Sequence, residues 1–335
     1  MLTSIEYRGK IVQALGEFSW GNDLNIIFEI LNNRFDSFNG NGFYPHPNEV
    51  ALRHELKEVS TLRKLAEHIR ALDAHGVVLH KLGLQGLPEE RRNAALYALT
   101  LMLGYPTSTD QRTGRVAWDV KARPGTGNEG GSEKRFVTFS ERVGSADMHT
   151  DSSFYPMPEQ QFILYVVNAA QCDGGHSLLI DADDIYHGLH RTPEGAAAFA
   201  LLSSTPVPFR VPAVYAAGDE QLEIYEAPVF GPPVRSDDLF TMRWRYDSIK
   251  KGLEARPDMS SPELVQAVEI MHCVAEQEAA RFMEQLPTDT LLLADNHRML
   301  HGRTTYSDER RHLVRIRMSD VPNAERVGPS GVVRD

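Results

Sequence analysis

Cysteine is the scarcest chemistry in the chain, present only as Cys172 and Cys273. Two isolated thiols offer neither a disulfide framework nor a thiolate-rich zinc site, so a reducing, cytoplasmic setting is expected. Long apolar runs are also missing. None approaches the ~18 residues of a membrane-spanning helix, so no membrane partner is expected. The first ten residues, Met1-Leu-Thr-Ser-Ile-Glu-Tyr-Arg-Gly-Lys10, lack the basic-then-apolar order of a secretory leader. Positive charge is in short supply, with 35 Lys+Arg against 46 Asp+Glu and a net charge of −11. An acidic chain without a strong basic cluster suits no phosphate backbone, and no nucleic-acid partner is expected. Internal repeats and low-complexity blocks are absent as well.

What remains is the balance of a globular protein, 41% hydrophobic and 24% charged over 335 residues. That length suits about two domains, or one large barrel with insertions. Residues 1–60 mix amphipathic stretches with a polar break at Asn39-Gly-Asn-Gly-Phe-Tyr-Pro45. Helical spacing follows over Thr61–Leu72, a strand-like run over Gly76–Leu82, and a second helix over Glu89–Leu103, stopped by Gly104 and Pro106. The pattern then turns to short apolar runs at Arg115–Val120, Phe136–Phe139, Phe162–Val167, Ser177–Ile180, Thr290–Leu293 and His312–Met318. One long helix is expected over Ser261–Gln285. The Pro- and Gly-containing stretch 205–236 reads as a lid insertion. Many short strands with a few helices suggest a double-sheet barrel with helical buttresses.

Four signals carry chemistry. In Ser145-Ala-Asp-Met-His-Thr-Asp151, residues i and i+2 of a strand share a face, so His149 and Asp151 can converge on one ion. Alone, His-x-Asp is more often a hydrogen-bonded pair. Far downstream, Leu291-Leu-Leu-Ala-Asp-Asn-His-Arg-Met-Leu-His-Gly-Arg303 ends an apolar strand in a polar turn and presents His301. Two imidazoles and one carboxylate leave three octahedral positions open, which suits Fe(II) in oxygen chemistry. In Arg310-Arg-His-Leu-Val-Arg-Ile-Arg317, Arg311, Leu313 and Arg315 share one strand face and His312, Val314 and Ile316 the other. Guanidiniums on a core-facing strand imply a bound anion, such as the distal carboxylate of a 2-oxo diacid; a charge-protected edge strand is the plain alternative. In Gly174-Gly-His-Ser177 the glycines permit a tight turn, and Ser177 offers a hydroxyl to the same carboxylate.

Together, and in this order, the four elements resemble the taurine dioxygenase/2,4-D dioxygenase-like family, with the related clavaminate synthases, over roughly Leu72 to Met318. The resemblance implies an α+β, mainly β chain with a double-stranded β-helix (jelly-roll) core and flanking helices. Its oxygenase domain spans 61–325, between an N-terminal extension, 1–60, packed on the core and a C-terminal tail, 326–335. It implies Fe(II) held by His149, Asp151 and His301, 2-oxoglutarate held through its C5 carboxylate by Arg311 with Ser177, and O2 as co-reactant. Arg315 lies near the other end of the cosubstrate or near a substrate anion. Halogenases similar to this family replace the metal carboxylate by a small residue; Asp151 is present, which favours oxygen chemistry.

The implied reaction couples decarboxylation of 2-oxoglutarate to succinate and CO2 with attack on an unactivated C–H bond. Its partner is a small molecule, amino-acid-derived or otherwise carboxylate-bearing. Ser145, Asp147, Phe154, Arg243 and Arg245 are the candidate substrate contacts. For residues 1–60 a substrate cover and a contact in a homo-oligomer are both open. A non-catalytic metal- or carboxylate-binding sensor and a zinc-dependent hydrolase are the competing readings; the hydrolase leaves Arg311 and Ser177 unexplained. Gly125-Thr-Gly-Asn-Glu-Gly130 matches a dinucleotide pattern but follows Arg-Pro rather than a strand, so it reads as a loop. His187 and His190 read as a solvated helix start and Cys172 as a small buried residue.

Overall fold

The computed structural model describes residues 2–16, 18–34, 43–108, 114–122, 139–212, 223–234 and 238–326. The expected run Phe136–Phe139 and the Gly125–Gly130 loop fall largely or wholly outside them. Two sheets carry the architecture. The larger runs Leu2–Arg8, Ile11–Gly16, Gly76–His80, Leu291–Asp295, Gln161–Asn168, His312–Ser319 and Tyr105–Pro106, with Trp118–Lys121 also paired to His312–Ser319. Its pairs are antiparallel except Ile11–Gly16 on Gly76–His80. The smaller sheet runs Phe282–Glu284, Ser177–Asp181, Met299–Arg303 and Ala146–His149.

The strands are buried because their apolar residues alternate between two different cores. Val314 and Ile316 enter a cluster shared with the helices Glu49–Leu56, Ser60–Ala71 and Glu89–Leu103, while Leu313 enters one built from both sheets. That second cluster joins Phe162, Val166 and Leu292 of the large sheet to Leu179, Phe282 and Met299 of the small one. A third cluster packs the helices Ala182–Leu189, Pro193–Ser204, Tyr246–Ala255 and Pro262–Glu278 over Ile180 and Leu300. With eight α-helices among the described residues, the chain is a mixed α/β protein rather than a mainly β one.

Element ends follow local chemistry. The helix Glu89–Leu103 stops at Gly104, where a Cβ would stand 2.9 Å from both Met318 Cγ and the Ser319 carbonyl oxygen. The helix expected over Ser261–Gln285 is capped by Ser261, whose hydroxyl accepts from the Leu264 N–H, but ends at Glu278. A short 3₁₀ turn follows, and Phe282–Glu284 pairs as a strand with Ser177–Leu179 because Phe282 is buried between the sheets. The stretch 205–236 is not a structureless connection where it is described. Val207–Arg210 pairs with Ile224–Ala227, Phe230–Gly231 pairs with Thr241–Met242, and Val207, Phe209, Val229 and Phe230 are core residues. The first 60 residues add two strands to the large sheet and bury Ile27, Leu31, Leu52 and Leu56 completely.

Candidate metal centre

His149 ends the strand Ala146–His149 and stands opposite His301 of Met299–Arg303. Their rings lie 4.2 Å apart between centroids. Asp151 is not in the strand. It sits in the turn that follows, and its Oδ1 still comes 3.9 Å from His149 Nε2. The turn is held from three sides. Asn296 accepts from the Asp151 N–H at 2.7 Å and donates to the Asp151 and Glu159 carbonyls at 2.9 and 2.8 Å. Thr150 exchanges hydrogen bonds with the Trp244 main chain, and Arg317 donates to the Ser152 hydroxyl. Ser152 takes a left-handed φ of 58° to make the bend.

Among the described residues, one group of three His, Cys, Asp or Glu side chains brings its ligand atoms within 4.8 Å of one another: His149, Asp151 and His301. His149 Nδ1 lies 2.8 Å from the Asp147 carbonyl, which can only accept, so Nδ1 carries the proton and Nε2 turns its lone pair toward Asp151. Burial lowers the pKa of His149, and Arg245 adds to the effect; burial and His149 lower that of His301 further. Both imidazoles are therefore neutral at pH 7. Burial pushes the Asp151 carboxyl the other way, but Arg315, with His301, Arg317 and His149, overcomes it and holds the group well below the usual carboxylate range. Arg315 Nη1 donates to Asp151 Oδ1 at 3.0 Å, whereas the buried Oδ2 and the buried His301 Nδ1 have no hydrogen-bond partner. Two neutral imidazoles beside an ionised carboxylate with an orphaned oxygen fit a divalent cation.

A second constellation lies along the same strand. Arg311, at the end of a turn just before His312–Ser319, lines a small cavity with Ser177, Gly175, Ala170, Gln285 and Leu313. Burial, with Arg303 nearby, lowers its pKa to about 10, which still leaves it charged at pH 7. Its Nη1 is buried without a hydrogen-bond partner. The guanidiniums of Arg303 and Arg311 lie 4.8 and 5.1 Å from the Tyr306 ring centroid. Gly175, at φ 70°, lets Arg311 pass, since a Cβ there would be 3.1 Å from Arg311 Nε. The opposite strand face behaves as the alternation requires: His312 Nε2 is 2.6 Å from Asp119 Oδ1, away from the cavity.

The sequence profile of the "Taurine catabolism dioxygenase TauD, TfdA family" matches residues 49–317. The chain belongs to this family. No curated protein sequence matches it. Among solved structures, an asparagine oxygenase in complex with Fe(II), 2S,3S-3-hydroxyasparagine and succinate is 16% identical, with a TM-score of 0.65 over 96% of this chain and 98% of that one. The non-heme iron oxygenase OrfP in complex with Fe and alpha-ketoglutaric acid is 16% identical, with a TM-score of 0.57 over 93% and 96%. At these identities the likeness speaks for the fold.

Around the centre of this TauD/TfdA-family chain, the expected substrate residues divide. Arg245 forms an isolated antiparallel bridge with His149, and its guanidinium lies 5.9 Å from the buried Phe154 ring. Arg243 is turned to the main chain instead, donating to the Ser153 and Tyr155 carbonyls at 3.2 and 2.9 Å. Ser145 and Asp147 are exposed; Asp147 serves His149 through its carbonyl. The His190 ring is tilted against Tyr186 with centroids 4.0 Å apart, and its Nδ1 lies 2.8 Å from the Tyr186 carbonyl. Sequence reasoning gave no role to Asn296 and Arg317, which hold the turn behind Asp151. Arg317 was legible by the same period of two that placed Arg311 and Arg315 together. Asn296 carried no signal beyond its place in the Asp-Asn-His-Arg block.

Proposed function

We propose that this protein is an Fe(II)- and 2-oxoglutarate-dependent dioxygenase acting on an unactivated C–H bond of a small amino-acid-derived or other carboxylate-bearing metabolite, with release of succinate and CO2. The observation that carries the reading is the His149–Asp151–His301 convergence, with one carboxylate oxygen left unpaired, in a member of a dioxygenase family. The two facing sheets correspond to the walls of a double-stranded β-helix. The 2S,3S-3-hydroxyasparagine named in the asparagine oxygenase complex, and the (3S)-hydroxy-L-Arg named in an OrfP complex, support an amino-acid-like substrate.

Bound iron and 2-oxoglutarate together supply the activation of O2 that ends in oxidation of the substrate C–H bond. The protein's own residues do the placing. His149, Asp151 and His301 would hold the metal on one side and leave the other open. Asp147 fixes the His149 tautomer, and Arg315 keeps Asp151 ionised. Arg311, with Ser177 beside it, would receive the distal carboxylate of 2-oxoglutarate in a cavity also lined by Gln285, Val166, Leu286 and Leu313. The buried Phe162 packs against His301, with ring centroids 4.3 Å apart. A zinc hydrolase gives Arg311 and its cavity nothing to do, and a sensor needs no metal side left open.

The test is anaerobic reconstitution with Fe(II) and 2-oxoglutarate, then exposure to air with a panel of L-amino acids. Succinate formation stimulated by at least one of them, and its loss in His301→Ala, is the expected result. Turnover under argon with no succinate in air would overturn the reading. Arg311→Gln should raise KM for 2-oxoglutarate roughly 10- to 100-fold, since a hydrogen bond to a charged group is worth about 1.5–3 kcal/mol.

A further inference from the structure

Tyr306 is only 3% exposed, and no step of the proposed reaction uses it. Two guanidiniums lie near its ring, Arg303 at 4.8 Å and Arg311 at 5.1 Å from the centroid. They are spent differently. Arg303 turns Nε and Nη2 to the Gly144 carbonyl at 3.1 and 3.0 Å, and Nη2 also to the Arg142 carbonyl at 3.3 Å. Both carbonyls belong to the segment that leads into the strand of His149. Arg311 instead lines the small cavity with Ser177.

The ring is fixed at its tip and through its backbone. The Tyr306 hydroxyl donates to the Arg142 carbonyl at 3.1 Å. Next to it, the Thr305 carbonyl accepts from the Gly175 N–H at 3.1 Å, and the Thr304 N–H donates to the His176 carbonyl at 3.1 Å. Gly175 also stands against Arg311, where a Cβ would lie 3.1 Å from Nε. The glycine turn thus brings the backbone of residues 304–306 and the Arg311 side chain together. A long buried side chain gives up rotamer freedom when it is ordered, and ordering it before a ligand arrives removes that cost from binding. The negative face of an aromatic ring attracts a guanidinium and so can do the ordering.

We propose that Tyr306 is a positioning residue for the cosubstrate, its ring holding the Arg311 guanidinium where the distal carboxylate of 2-oxoglutarate is received. This rests on the oxygenase reading above.

The experiment titrates the Fe(II) protein under argon with 2-oxoglutarate and with 2-oxobutyrate, which lacks the distal carboxylate, following the visible charge-transfer absorption. Tyr306→Phe keeps the ring and should bind 2-oxoglutarate within about threefold of the unaltered protein. Trifluorinated phenylalanine at the same position keeps the shape but removes the negative face. It should weaken 2-oxoglutarate binding about tenfold relative to Tyr306→Phe. 2-Oxobutyrate should bind the two alike, and in an Arg311→Gln background fluorination should make no difference. Equal 2-oxoglutarate binding by the two rings, equal weakening of both acids, or loss of binding in Tyr306→Phe would overturn the proposal. So would a fluorine effect that persists in Arg311→Gln. If the absorption never forms in the unaltered protein with Fe(II) and 2-oxoglutarate, the oxygenase reading itself fails. If it forms and ignores fluorination, only the role of Tyr306 fails.

Discussion

Asn296 spends its whole side chain on the turn that carries Asp151, accepting from one N–H and donating to two carbonyls. None of its atoms belongs to the proposed ligand set, yet it fixes the backbone that carries the proposed ligand Asp151. Groups that orient a ligand are worth about 10- to 100-fold in metal affinity. Asn296→Ala should therefore weaken Fe(II) binding by about that factor, measured by equilibrium titration of the protein without cosubstrate. An unchanged affinity would mean that Arg317 and Trp244 hold the turn alone. This residue also marks the limit of what a sequence reveals. The convergence of His149, Asp151 and His301 as a proposed metal site was legible because metal chemistry restricts ligands to a few residue types. Asn296 satisfies main-chain groups, a task any loop can set, and nothing in its neighbours announces it.

Strand alternation was the most legible part of the elements. The period of two separates Leu313 and Arg315 from His312 and Val314, and the structure puts the first pair toward the site and the second away. It failed where the backbone leaves the strand: Asp151 reaches the cluster from a turn, by a bend that the i, i+2 argument does not contain. The long helix expected through Gln285 failed for a related reason. Its apolar stripe runs on into Phe282, which is apolar because it faces the other sheet, and hydrophobic spacing alone cannot tell the two apart. The sequence suggests only that Gly174-Gly175 permits a tight turn, and the structure shows that glycine is required there. Gly174 has φ 150°, and a Cβ there would lie 2.2 Å from the Thr305 carbonyl oxygen. Gly174→Ala should cost about 1–3 kcal/mol or more in urea unfolding, since both strain and a backbone clash are introduced. KM for 2-oxoglutarate should rise with it, because this turn leads into Ser177 and walls the Arg311 side chain.

At the scale of the molecule, the family match begins at residue 49, but the core does not. Ile11–Gly16 pairs in parallel with Gly76–His80 and so continues the sheet that carries Arg315. Trp20 donates its indole N–H to the Leu82 carbonyl at 2.8 Å, and Asp23 accepts from the Thr61 N–H at 2.9 Å. Val12, Trp20, Ile27, Leu31, Leu52 and Leu56 are all buried against the helices that cover the large sheet. Each such side chain contributes about 1.5–3 kcal/mol on burial, so together they amount to on the order of 10 kcal/mol. A domain's whole stability is about 5–15 kcal/mol. Removal of residues 1–60 should therefore abolish cooperative folding, rather than merely uncover a site. Circular dichroism and thermal melting of residues 61–335 decide it. A truncated chain that melts cooperatively and still binds Fe(II) would show that the first two strands and the helices after them are a dispensable cover. An aggregated or non-cooperative one would show that they are part of the scaffold on which the metal turn is held.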